Sequence, residues 1–155
     1  KTDIETALAL EPDFVVHMVH PTSEHLDHLQ NNSIPVVICP RSNLVTGVGL
    51  PPIDDLLTHT TVALGTDNVM TNSPSLFREM AFISKLFDID PREVLRMATS
   101  SGATIFDLNY GVIEPNREAK LLVLDGDSNN LSGSSDIISS IVRRASSSDI
   151  KQVCL

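Results

Sequence analysis

The chain has 155 residues and a formal net charge of −9, with 41% apolar and 20% charged residues, 4% aromatic and no Trp; this suits a globular domain with an aliphatic core and excludes a disordered chain. Nucleic acids and anionic membranes bind clustered Lys and Arg, and Arg143-Arg144 is the only adjacent basic pair, so neither partner is expected. Apolar runs are far shorter than the ~20 residues of a membrane-spanning helix, and Cys39 and Cys154 make no disulfide framework, which points to a reducing, cytoplasmic setting.

Three short β-branched runs come first: Phe14-Val15-Val16-His17, Pro35-Val36-Val37-Ile38-Cys39 and Val62-Ala63-Leu64-Gly65-Thr66-Asp67. Their length and lack of alternation predict strands buried on both faces, as in a parallel sheet. Between the first two, Thr22 or Ser23 caps a helix over 24–30, with Leu26 and Leu29 as its apolar stripe. After the second, Pro52 and the acidic Asp54 and Asp55 open another helix. From His17 to Arg41 is 24 positions and from Arg41 to Asp67 is 26, the spacing of a repeated βα unit with right-handed crossovers. Beyond the third strand, Leu76, Phe77, Met80, Ile83 and Leu86 predict an amphipathic helix over 74–87. Asp90-Pro91-Arg92-Glu93 starts the next helix, which Gly102 ends or opens to a neighbour. Near Leu108 the pattern changes. Residues 112–113 and 120–124 suggest short strands, 125–135 a surface loop, and 137–142 and 150–155 two further strands, although 137–142 also fits a helical turn.

In parallel α/β architectures functional groups gather at the C-terminal ends of strands. Here those ends present His17 and His20, then Arg41, Ser42 and Asn43, then Asp67 and Asn68. Imidazole and carboxylate on one rim suit a divalent metal and the activation of water. Structural roles compete: Asp67 also fits a loop cap, and Ser42 and Asn43 fit a loop held by hydrogen bonds to backbone. Arg41 either grips an anionic or carbonyl group of a substrate or pairs with an acid. His25 and His28 fit a solvated helix face, His59 a helix end, and Cys39 a buried, inert thiol.

Val16-His17-Met18-Val19-His20, Cys39-Pro40-Arg41-Ser42-Asn43, Gly47-Val48-Gly49-Leu50-Pro51-Pro52 and Leu64-Gly65-Thr66-Asp67-Asn68 stand in an order and spacing that resembles the amidohydrolase superfamily. The likeness is greatest to its guanine deaminase, S-adenosylhomocysteine deaminase and triazine chlorohydrolase branches, and Leu-Gly-Thr-Asp, 50 positions after His17, is its most specific element. Gly111-Val112-Ile113-Glu114 and Ala119 to Asp125 are similar to strands of that family's composite β-domain.

The resemblance implies an α/β fold: residues 1–108 as the C-terminal βα units of a (β/α)₈ barrel, strands six to eight, and residues 109–155 as part of a β-rich domain. It implies a divalent metal, zinc first and iron, nickel or manganese next, with Asp67 and His17 as ligands and catalytic groups. Asp67 would shuttle a proton, while His17 would contact the hydrolytic water or polarise the substrate. His20 and Arg41 are expected to bind substrate. The implied reaction is hydrolysis of a C–N bond in a small heterocycle. Departures are the family's upstream metal ligands, which this chain lacks, Ile38 where many members carry His, and Lys120 and Asn116 in place of Asp and Gly. The chain opens on Lys1, and a piece inactive alone is expected, either homo-oligomeric or pairing with a missing N-terminal portion. The alternative is a non-catalytic relative acting as scaffold or ligand-binding subunit.

Overall fold

The three β-branched runs form β1 (Val15–Val16), β2 (Val36–Ile38) and β3 (Val62–Leu64) in a computed structural model that describes residues 2–155. They pair in parallel in the order β1-β2-β3, with Val15 and Val16 beside Val36 and Val37, and Val36, Val37 and Ile38 beside Val62, Ala63 and Leu64. Val36, Ile38, Val62, Ala63 and Leu64 are all buried, as befits strands covered on both faces, whereas β1 departs from that expectation, with Val15 buried and Val16 45% exposed.

Helix α1 (Asp3–Leu8) precedes β1, α2 (Ser23–Asn31) joins β1 to β2, and α3 (Pro40–Val45) and α4 (Ile53–His59) lie between β2 and β3. α2 packs against α4, burying Leu26 and Leu29 on one and Ile53 and Leu56 on the other. The α2 cap is reciprocal: the Thr22 hydroxyl accepts from the His25 amide, and His25 Nδ1 accepts from the Thr22 amide. His25 is therefore a buried cap residue and not the solvated one expected, while His28 is exposed. Helix α3 was not foreseen. Pro40 occupies its first turn, where the missing N–H is harmless and the fixed φ is already helical.

These elements make up a compact unit that ends at Pro74; a second runs Ser75–Leu155. In the second, α5 (Leu76–Leu86), α6 (Pro91–Met97) and α7 (Ser100–Ile105) are followed by β4 (Leu121–Leu124), α8 (Ile137–Arg144) and β5 (Ile150–Cys154). α8 packs on α5 and α6, and Met80, Ile83, Val94, Met97 and Val142 are buried. β4 and β5 pair antiparallel, with a register shift between Val123 and Leu124. Asn130 Nδ2, the Ser146 amide and the Ser146 hydroxyl all donate to Asp149 Oδ2, and these bonds, that from Asn130 foremost, hold the Asp149 carboxyl down at about 2.

Two expectations are corrected and one open alternative is decided. Gly102 lies inside α7 and does not end α6. Residues 112–113 form no strand, because Gly111 and Asn116 on either side take positive φ and bend the chain. Residues 137–142 belong to a helix. Among the described residues no helix is long and apolar enough to cross a membrane.

Candidate functional site

β1 ends where His17 and Met18 enter the left-handed region, at φ 73° and 45°. The His17 amide still donates to Val37 O at 2.8 Å, so the ring departs from the last rung of the sheet. β3 ends similarly. The Gly65 amide donates to Ile38 O at 2.8 Å, and Asp67 takes φ 55° two residues later. Left-handed φ at a residue other than Gly costs about 1–2 kcal/mol, and such residues cluster at functional sites. Here the end of β1 carries two and the segment after β3 carries one.

β2 runs directly into α3. The Asn43 amide donates to Cys39 O at 3.0 Å, which puts Arg41, Ser42 and Asn43 in the first turn. Ser42 and Asn43 are each only 2% exposed. Asn43 Oδ1 meets His17 Nδ1 at 2.8 Å, and the Ser42 hydroxyl donates to Asp67 Oδ2. Two consecutive side chains after β2 thus grip the two candidate groups at the ends of β1 and β3. Their side-chain bonds go to His17 and Asp67, whereas bonds to loop backbone were expected. His17 is half-buried and Asp67 exposed.

The other two expected residues fasten loops. His20 Nε2 donates to Val48 O at 2.9 Å, tying the chain after β1 to the loop around Gly49. Arg41 donates from Nη2 to Asn72 Oδ1 at 3.1 Å and from Nη1 to Ser73 O at 3.4 Å. Asn72 and Ser73 belong to the loop that follows Asp67, whose turn is pinned by Asn68 Oδ1 accepting from the Met70 amide at 2.7 Å. Cys39 is buried, as expected, and Ile38 is fully buried, offering nothing polar at the end of β2.

With Nδ1 engaged by Asn43 and Oδ2 by Ser42, the groups left to bind or to exchange protons are His17 Nε2 and Asp67 Oδ1. An imidazole nitrogen and a carboxylate oxygen suit zinc and its neighbours in the first transition row. A catalytic zinc takes three protein ligands, and among the described residues no group of three or more His, Cys, Asp or Glu is disposed to hold a metal. The donor chemistry of these two groups fits such a metal, but the two fall short of a full ligand set.

The profile of the amidohydrolase family matches residues 4–155. An uncharacterized protein of Methanocaldococcus jannaschii is 42% identical over 144 residues, covering 92% of this chain and 38% of that protein. A 5-methylthioadenosine/S-adenosylhomocysteine deaminase of Haloarcula marismortui is 34% identical over 152 residues, 91% of this chain and 35% of that enzyme. Among solved structures, an adenosine deaminase from Xanthomonas campestris with bound zinc is similar at a TM-score of 0.87 and 26% identity, covering 97% of this chain and 37% of that one. The chain spans between 35% and 38% of the length of these relatives.

Proposed function

This chain belongs to the amidohydrolase family, and from that premise we propose that the complete protein is a metal-dependent hydrolase that deaminates a small heterocycle of the aminopurine kind. The observation that carries the reading is the double grip of Asn43 on His17 and of Ser42 on Asp67, which brings an imidazole and a carboxylate to one end of a parallel sheet. Relatives named as deaminases of purine nucleosides support the substrate class.

In this reading β1, β2 and β3 are strands six, seven and eight of a (β/α)₈ barrel, over residues 1–108, and residues 109–155 belong to a β-rich domain. Parallel strands joined by helices, with polar groups at their C-terminal ends, support the first part; the antiparallel β4–β5 pair supports the second. Asp67 and His17 would hold the metal together with ligands from outside these 155 residues. Zinc is favoured by the zinc-bound relative, while iron, nickel and manganese suit the same donors. The metal, when bound, lowers the pKa of water toward ~7. Asp67 Oδ1 accepts a proton from the attacking water and returns it to the leaving nitrogen. His17 Nε2, by its lone pair, would serve either as that metal ligand or as the acceptor that orients the water, and His20 and Arg41, whose bonds fasten the rim loops, would shape the substrate's side of the rim. Cys39 and Cys154, neither in a disulfide among the described residues, suit a reducing cytoplasm, and the complete protein is expected to be a homo-oligomer.

The deciding experiment is ammonia release by the complete, metal-loaded protein from 5-methylthioadenosine, S-adenosylhomocysteine, adenosine and guanine, with Asp67→Asn alongside. Asn tolerates the left-handed φ, and its carbonyl still accepts from Ser42, so the fold is retained. A loss on the order of 10²–10⁴-fold in kcat is expected; undiminished turnover would sink the assignment. The fully buried Ile38, apolar where the family resemblance leads one to expect His, favours a second reading, a binding relative without turnover. Purine binding by the metal-loaded protein with no ammonia released would select it.

A further inference from the structure

We propose that Ser42 and Asn43 are a positioning pair that fixes which lone pairs His17 and Asp67 present at the strand ends. The inference starts from the reading of His17 and Asp67 as the reacting groups, but its test needs no turnover.

A carboxamide oxygen can only accept, so the contact between Asn43 Oδ1 and His17 Nδ1 puts the ring hydrogen on Nδ1 and leaves the Nε2 lone pair free. The hydroxyl of Ser42 does the corresponding work for Asp67, occupying Oδ2 and leaving Oδ1. Because the two residues are adjacent in the first turn of α3, a single rigid element sets both groups at once. Such outer partners orient metal-binding side chains and choose the imidazole tautomer.

The remaining group of the Asn43 amide argues against simple packing. Asn43 Nδ2 is buried and has no hydrogen-bond partner among the described residues. A buried donor left unpaired costs about 1–3 kcal/mol, and an apolar side chain of the same shape would carry no such penalty. A residue present only to fill space or satisfy hydrogen bonds is badly chosen here. One that must offer an acceptor to His17 Nδ1 is well chosen.

The experiment is nitrogen NMR of the complete protein, labelled with ¹⁵N-histidine and stripped of metal, at a pH where the imidazole is neutral. His17 should show a single tautomer with hydrogen on Nδ1. Asn43→Asp, which keeps an acceptor, should retain that tautomer, and Asn43→Leu should shift hydrogen to Nε2. Hydrogen on Nε2 in the unmodified protein would overturn the proposal, since Asn43 would then be presenting its NH₂. An unchanged tautomer in a folded Asn43→Leu would also overturn it, leaving Asn43 a merely structural role. Should Asn43→Leu fail to fold, the unmodified protein and Asn43→Asp still decide.

For the Ser42 half, competition with a chelator should show Ser42→Ala binding Zn²⁺ about 10–100-fold more weakly, with Ser42→Thr restoring affinity. Equal affinity in Ser42→Ala would remove Ser42 from the pair. If no heterocycle is ever turned over, the functional reading fails while the tautomer result stands by itself.

Discussion

Asp67 performs its proposed task from a backbone conformation that its own residue type makes tolerable. At φ 55° a short polar side chain is accepted because it can bond locally, whereas a β-branched one collides with its own backbone. Asp67→Val in the complete protein should therefore unfold at a lower urea midpoint than Asp67→Asn, by about 1–2 kcal/mol at unchanged m-value. Equal midpoints would mean that the backbone at Asp67 relaxes freely and holds no strain. The residue types and spacings of His17 and Asp67 made them legible as strand-end groups in the sequence. What each side chain touches was less legible. Ser42 and Asn43 looked like loop fasteners because nothing local reveals that Pro40 starts a helix immediately after β2. Likewise His25 looked solvated, since its partner, the Thr22 amide, is defined only once the α2 cap closes.

Among the elements, β3 shows how close packing prepares the site. A Cβ added at Gly65 would fall 2.9 Å from Val37 Cγ1 and 3.0 Å from Cys39 Sγ. Both are side-chain atoms in a packed strand end, so either Val37 and Cys39 turn about χ1 into less favourable rotamers or the end of the sheet shifts. Gly65→Ala should destabilise the protein by about 1–3 kcal/mol, the usual cost of overpacking a filled interior, and should displace the segment that leads to Asp67. Calorimetry and the Zn²⁺ affinity of the same variant read the two effects; unchanged stability and affinity would show that β2 gives way easily. The strands themselves were legible because β-branched runs of that length have few alternatives in an α/β chain. Residues 137–142 were ambiguous for the opposite reason: Ile137, Ile138, Ile141 and Val142 satisfy both periods. The cap decides in favour of the helix. Asp136 Oδ1 accepts from the amides of Ile138 and Ser139, and its hydroxyl partner Ser139 is the foremost cause of its lowered pKa.

On the scale of the molecule, the local logic of the site outruns what these residues can complete. The motif order made the family legible, because Leu-Gly-Thr-Asp and the His17 strand end lie in one stretch of chain. How the remainder of the proposed metal centre is assembled could not be read from it, since among the described residues no group of three or more His, Cys, Asp or Glu is disposed to hold a metal. Two donors, one imidazole and one carboxylate, leave a divalent cation mostly hydrated, and chelation gains little until a third protein ligand fixes the geometry. In addition, among the described residues β1 and β3 each pair with β2 alone, so each has a side open to another strand. The 155-residue chain by itself should thus bind Zn²⁺ far more weakly than the complete protein and release no ammonia from aminopurines. Mixing it with a polypeptide carrying the upstream portion should tighten Zn²⁺ binding and restore turnover together, because one assembly event supplies both the ligands and the neighbouring strand. Turnover by the chain alone at a rate near that of the complete protein would instead mean that His17 and Asp67 suffice, or that copies of the chain complete one another's site. Sedimentation at the assay concentration separates those two cases, since only the second requires an oligomer.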